Sequence, residues 1–365
     1  VAGQSVEILV SNENDRSNLG IANFSNQTVT FDVTVLDFSG RRAPSGGAPL
    51  FSIRKGAQLP AWGWMQIDSA ELMDLNGSRA AVASISVPSG PAALYAYGVI
   101  NDRFTNDGSF LAPCHSPQVN PRGFAPAVET TGFVTELTVR DNGSPITPSI
   151  VLMSYWESLT PAFPGGWGDL AAPPRDHVIV DALATFRTMD PMSIGPKGAA
   201  DYGGSLMLTP QYGASGQART LSPSPGGGRF GVDTPWVSPD QAASDRAAVY
   251  GLVSDDLNRS NVAVMNIGDP PAHVGWSENT PVTLRLQVHD GASGGAVKGS
   301  PIDVTLAYGG WKQFNGILRD AGVTEGWVEV TRLSGSSVWA AYGVVNDGAY
   351  PGERTGDGAY VPMAR

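Results

Sequence analysis

The chain has 365 residues, 41% hydrophobic and only 16% charged, with 45 Gly and 28 Pro, which leaves room for two or three domains with packed cores and excludes long disorder. A net charge of −11 argues against the phosphate-neutralising surface of a nucleic-acid binder, and the absence of an apolar run of about 18 residues argues against a transmembrane segment. A single cysteine, Cys114, rules out an intrachain disulfide framework.

Short alternating segments separated by Gly, Pro and Asn clusters run through the chain. Ser5–Val10 reads as a strand, and Arg16–Phe24 as a second after the turn cluster at Asn12–Asp15. Thr28–Phe38 places Val29, Phe31, Val33 and Val35 on one face and Thr or Asp on the other, the period of a half-buried strand. Ala57–Asp68, with Trp62 and Trp64, gives a further strand. Ala80–Val87 and Ala92–Asn101 flank the hairpin signal Pro88-Ser89-Gly90. Between about 125 and 240 the pattern diverges. Gly132–Val139 is a strand closed by Asp141-Asn142-Gly143, Ser149–Trp156 is the next, and Val178–Phe186 predicts a strand leading into one helical turn. Beyond 246 the first order returns: Arg259–Asn266 matches Arg16–Asn23, Pro281–Asp290 matches Thr28–Asp37, and Trp311–Phe314 matches Trp64–Ile67.

The clearest signal is the block Ala-Tyr-Gly-Val-Ile-Asn-Asp at Ala96–Asp102, which recurs with one conservative change at Ala341–Asp347. The offset grows from 243 at Arg16/Arg259 to 250 at Asp107/Asp357, so insertions sit in loops. The predicted fold is all-β, with almost no helix: tandem β-sandwiches of immunoglobulin-like or Greek-key type over 1–120, 125–240 and 246–365, the third a second copy of the first.

The order Arg-Ser-Asn-Leu-Gly at Arg16–Gly20, the strand Leu36-Asp37 with Gly40, then Trp64-Met65-Gln66 and Tyr95-Ala96, resembles modules of large secreted bacterial surface proteins, a mostly uncharacterised group. The third segment shows the same pattern and the middle a looser companion one. The resemblance implies an extracellular or cell-surface location and a structural role. A chain that opens on Val1 without an initiator Met fits the same expectation, a protein matured by signal-peptide removal.

Motifs of catalysis fail on context. Gly291-Ala292-Ser293-Gly294-Gly295 fits a nucleophile elbow in letters, but no helix-forming run follows it. Gly226, Gly228 and Gly231 fit a dinucleotide fingerprint, but Pro235 and Pro239 forbid the helix that would bind pyrophosphate, leaving a flexible surface loop. His115, His177, His273 and His289 are scattered, and no zinc spacing exists. Asn101, Asp102, Asp107, Asn346, Asp347 and Asp357, with Asn106, are candidate ligands for Ca²⁺; the competing and preferred reading is that they cap turns through their own backbone. Arg16 and Arg259 are expected to ion-pair with these aspartates. Trp64 and Trp311, at matched positions, are expected in the core, and Tyr95 is matched with Trp339. Trp167, Trp236 and Trp276, in Pro/Gly-rich loops, are the candidate binding surface.

The expected function is therefore non-enzymatic: a subunit of an extracellular assembly or filament, or an adhesin, with self-association through β-strand edges and with Val1–Val10 available to complete a neighbour's sheet. The alternative is a carbohydrate-binding array using the loop tryptophans and glycan partners. An enzyme built on Asp169, Asp176 and Asp181 has no support beyond their presence.

Overall fold

The computed structural model describes residues 5–11, 15–37, 50–73, 80–88, 94–111, 123–129, 132–141, 149–157, 177–180, 186–189, 202–210, 214–224, 226–268, 280–350, 353–355 and 357–365. Among these the chain is almost entirely strand. A first set comprises β1 (Ser5–Ser11), β2 (Asp15–Asn23), β3 (Val29–Asp37), β4 (Leu50–Leu59), β5 (Trp64–Ile67), β6 (Ala80–Ser86), β7 (Leu94–Asp102) and β8 (Gly108–Leu111). A second comprises β9 (Gly123–Glu129), β10 (Val134–Asp141), β11 (Ser149–Glu157), β12 (His177–Val180), β13 (Phe186–Met189), β14 (Tyr202–Pro210), β15 (Ala214–Pro223) and β16 (Arg229–Pro235). The third comprises β17 (Arg246–Val253), β18 (Asn258–Gly268), β19 (Val282–Asp290), β20 (Ala296–Leu306), β21 (Trp311–Phe314), β22 (Glu325–Ser334), β23 (Val338–Asp347) and β24 (Gly358–Ala364).

The three sets share one strand order. The first forms sheets β1-β6-β3-β4 and β5-β2-β7-β8. The second forms β9-β14-β11-β12 and β13-β10-β15-β16, the same order strand for strand. In the third the corresponding halves, β20-β19-β22-β17 and β24-β23-β18-β21, merge into one eight-stranded sheet because β24 also pairs with β17 at Ala248↔Ala364 and Val249↔Met363. The middle segment, which diverges in sequence, therefore keeps the topology. Register agrees as well: Arg16 pairs with Asn101 and Leu19 with Gly98, while Arg259 pairs with Asn346 and Val262 with Gly343.

Side-chain alternation builds the cores. Val29, Phe31, Val33 and Val35 all point inward, as their spacing predicts, and meet Ile8, Leu19, Ile21, Ile67 and Ile85 from both sheets. In the third set Val249, Val262, Leu284, Leu286, Val328, Val330 and Trp339 do the same. A buried hydroxyl joins the first and second strands where the chain passes between sheets. Thr135 Oγ1 accepts from Val128 N (2.8 Å) and donates to Val128 O (3.0 Å). Ser260 Oγ accepts from Val253 N (2.8 Å) and donates to Val253 O (2.6 Å). Ser17, fully buried, holds the same position in the first set. One hydroxyl thus satisfies a donor and an acceptor that leave the ladder.

The Asn that ends the matched block is equally structural. Asn23 Nδ2 donates to the carbonyls of Gln27, Leu59 and Pro60, and Asn266 Nδ2 to those of Thr280 and Leu306. Short helices lie elsewhere than expected: α1 (Ser69–Met73) and α2 (Ile317–Asp320) each follow the short strand β5 or β21, started by the backbone N–H that bonds Asn18 Oδ1 at Ser69 and Asn261 Oδ1 at Gly316. The turn sought after Val180 lies outside the described residues, and β12 and β13 flank it. No helix among the described residues is long and apolar enough to cross a membrane.

Candidate functional site

Two features stand out from this frame: a buried acidic joint, and an aromatic sheet face that is open in one set of strands and covered in another.

The joint forms where the last strands of the sets, β8 and β24, both pack on β16. Ser109 Oγ donates to Gly231 O (2.7 Å), and Asp107 Oδ2 accepts from Gly231 N (2.8 Å). On the other side Val232 lies over Gly358, where a Cβ would fall 2.4 Å from Val232 Cγ2. Gly228, with φ +78°, lets the backbone approach Asp102; a Cβ there would lie 2.3 Å from Asp102 Oδ1. Of the stretch read from sequence as a flexible surface loop, Gly226 and Gly227 are exposed at the surface, whereas Gly228–Gly231 is a close-packed contact with the first set.

The acidic candidates divide by role. Asp102 Oδ1 accepts from the N–H groups of Phe104 and Thr105 and from the Thr105 hydroxyl, and Oδ2 accepts from Arg229 N. Burial pushes its carboxyl up, but those N–H groups and the hydroxyl outweigh it and hold it below the ordinary range. Asp347 caps its own turn through Thr355 and takes Arg354 Nε at 2.6 Å. Asn346 Oδ1 accepts from Asn261 Nδ2. Asn101 stands in β7 opposite Arg16 and Gly108. Asp107 and Asp357, equivalent positions 250 residues apart, meet within hydrogen-bonding reach. Burial, then the bond to Asp107 and its charge, pushes Asp357 up to about 8. One Oδ1 on each carboxyl is buried without an N–H or O–H against it, which a shared proton explains. Asp233, fully buried, is likewise pushed up to about 8 by burial, with only Arg219 pulling it down. Among the described residues no three His, Cys, Asp or Glu side chains are gathered as a metal centre.

Arg16 and Arg259 do not ion-pair with these aspartates in the contacts described: Arg16 donates to Asn106 Oδ1, and Arg259 to the carbonyls of Gly348 and Tyr350. The buried bridge is instead Asp15 Oδ2 to Arg219 Nη1 at 3.0 Å, between the first and second sets. Burial raises the Asp15 carboxyl despite Arg219 and Arg229 beside it. Arg229 adds a 2.6 Å pair to Glu136.

The second feature is the outer face of β5-β2-β7-β8. Trp64 Nε1 donates to Tyr97 OH (3.1 Å), and Tyr97 stacks on Phe110 at 5.4 Å. The third set repeats this triad: Trp311 Nε1 donates to Tyr342 OH (3.0 Å), and Tyr342 stacks on Tyr360 at 5.7 Å. Their surroundings differ. Trp311 is 5% exposed because Phe124 and Met207 of the second set cover it, together with Ala263, Met265, Ile267 and Ala340. Tyr308 seals this contact, meeting Phe124 edge to face at 6.1 Å and reaching Met207 Sδ with its hydroxyl, while Ser205 Oγ donates to Gly309 O. Trp64 is 56% exposed, and Phe24, Trp62, Tyr95 and Phe110 beside it are exposed too.

Trp311 is thus buried in a hydrophobic core cluster, as expected, but on the outer face of its sheet, whereas Trp64 at the matched position is exposed. Tyr95 aligns with Ala340 and not with Trp339, since Ala22↔Tyr95 corresponds to Met265↔Ala340. Of the loop tryptophans, Trp236 is half-buried against Gly123; Trp167 and Trp276 lie outside the described residues. Sequence reading overlooked Trp62, Tyr95, Tyr97 and Phe110 as a surface. The signal was present in Tyr95-x-Tyr97, which places bulky rings at the period of one strand face, opposite Ala96, Gly98 and Ile100; Trp62 lies in the turn before β5, where no strand period points to it. Comparison with protein-family models gives no match, and comparison with curated proteins gives none either.

Proposed function

We propose that the chain is three tandem copies of one β-sandwich and that it works as a non-enzymatic building block of an extracellular assembly. The observation that carries this reading is the open aromatic face of β5-β2-β7-β8, whose counterpart in the third set is covered within the chain by β9 and β14. Exposed contiguous rings of this kind mark interaction surfaces. The polar groups that could suggest chemistry serve structure instead. Ser293 hydrogen-bonds Asp290 within the β19–β20 turn, and His289 stacks on Trp327 at 5.0 Å. The buried joint supports a stiff tandem over loosely linked beads. Secretion, and kinship with modular bacterial surface proteins, fit this reading and rest on the sequence pattern alone.

Electron microscopy of native, never-unfolded material tests it. Regular fibres or beaded chains are expected; isolated particles at every concentration would refute it. The same exposed rings favour a second reading, glycan stacking, which predicts quenching of tryptophan fluorescence by sugars in a protein that stays monomeric.

A further inference from the structure

We infer that the open face of β5-β2-β7-β8 is the acceptor for the β17/β22 sheet face of a second copy of this chain, giving head-to-tail growth. The inference rests on the assembly reading above and names the surfaces that would make it. Its template is the contact inside the chain, in which β9 and β14 of one set cover the outer face of β18, β21 and β23 in the next.

The acceptor is matched residue by residue. Trp64, Tyr97 and Phe110 repeat Trp311, Tyr342 and Tyr360, with the same indole-to-phenol bond and the same stack. The outward positions around these rings, Gly20, Ala22, Gln66 and Tyr95, carry no charge, and the charged outward residue of β2, Arg16, stands at the start of that strand. Trp62 adds an argument of its own. It corresponds to Gly309, since Gly63 N bonds Pro60 O as Gly310 N bonds Ala307 O. Both adopt left-handed backbone, φ +59° and +71°. For a bulky L-residue that conformation costs about 1–2 kcal/mol, and folding alone would favour the glycine of the third set. The strain instead holds an indole, 69% exposed, at the place where Gly309 takes the Ser205 hydroxyl.

The donor follows from the shared topology. β9 and β14 correspond to β17 and β22. Counted from the matched hydroxyl bonds at Val128 and Val253, and allowing for the bulge between Val249 and Leu252, Phe124↔Met207 corresponds to Ala248↔Glu329 and Ser205 to Trp327. That face is open at Tyr250, 53% exposed and 5.8 Å from the half-buried Trp327 ring, while Ala248 is buried and Arg246 pairs with Glu329. β9/β14 of a second copy is already occupied by its own third set; of the two donor-type strand pairs left, β1/β6 has no aromatic residue, and β17/β22 carries the rings of Tyr250 and Trp327. Acceptor and donor are different surfaces, so the contact is heterologous and can repeat from copy to copy.

Sedimentation velocity of the full chain over a concentration series tests this, with an acceptor variant (Trp64→Ala, Tyr97→Ala), a donor variant (Tyr250→Ala, Trp327→Ala) and Trp62→Gly, each checked for folding by near-ultraviolet circular dichroism. Wild type is expected to form a ladder of growing species. Each double variant alone should stay monomeric, and their mixture should stop at dimers. Trp62→Gly, which puts at this left-handed position the residue Gly309 already supplies in the third set, should weaken association at least about tenfold. Wild-type association unchanged by the acceptor variant or by Trp62→Gly would overturn the inference and leave the assembly reading standing. Association lost in the acceptor variant but intact in the donor variant would overturn it in favour of a face-to-face dimer. A wild type monomeric throughout would overturn both, and sugar quenching in such a monomer would assign the face to glycans.

Discussion

At Trp62 and Gly309 one backbone position has two solutions, and the difference is measurable. Replacing Trp62 by Gly removes left-handed strain worth about 1–2 kcal/mol, offset in part by the greater chain entropy of glycine. Thermal or urea unfolding should show the variant as stable as wild type or up to about 1 kcal/mol more stable, a gain in stability at the expense of a contact ring. Asp15 behaves in the opposite way. With Asp15 and Arg219 both buried, Asp15→Ala leaves a guanidinium without its counter-charge, and urea titration should report a loss of about 3–5 kcal/mol. Little of this was legible in the sequence. Arg219 sits two hundred residues from Asp15, and nothing local distinguishes it from Arg16, whose place beside the matched motif drew attention first. Asp102 and Asp347, by contrast, were readable as turn caps because their turn partners lie within eight residues, although the bond from Arg229 N to Asp102 was not.

At the scale of strands, alternation made the inward faces of β3 and β19 plain, and the duplicated block fixed the match of β7 to β23. It could not say whether an outward face meets water or protein. Trp64 and Trp311 are identical in type and register, and only the packing of β9/β14 separates them. The hydroxyl bridges belong to this scale. Ser260→Ala leaves the Val253 N–H and carbonyl unpaired in the sheet interior, and a loss of about 1–3 kcal/mol is expected by urea unfolding, against a smaller effect for Ser260→Thr, the residue the second set uses at Thr135. The β8–β16–β24 joint should respond to pH. Asp357 and Asp233 stand at about 8 in the folded chain against 3.8 as the ordinary value, so the folded state holds their protons more tightly. Their contribution is complete below pH 3.8 and is lost as pH rises through about 8. Around Asp357 stand Asp107, Asp347 and the Gly358 N–H; around Asp233 stand Arg219 and Tyr360. Unfolding measured from pH 5 to about 8 should show stability falling, and Asp357→Asn, which keeps a donor for Asp107 without titrating, should flatten that fall. A slope unchanged in the variant would remove Asp357 from the account.

Across the whole molecule, one strand order occurs three times, yet the copies meet in different ways. The second covers the aromatic face of the third, while the first engages the second through Asp15–Arg219, Ser109 and the glycines of β16, leaving its own aromatic face bare. Sequence similarity matched the first and third sets; the middle set differs in sequence yet has the same strand order, which depends on alternation and turn placement more than on residue identity. The same face is covered within the chain at Trp311 and, in the assembly proposed above, is covered by a second chain at Trp64. Hydroxyl-radical footprinting of the tryptophans, in dilute and in concentrated protein, tests it most directly. The account predicts that Trp311 is shielded in both, whereas Trp62 and Trp64 react when dilute and become shielded when concentrated. Trp311 reacting as fast as Trp64, or Trp62 and Trp64 reacting equally at every concentration, would contradict it.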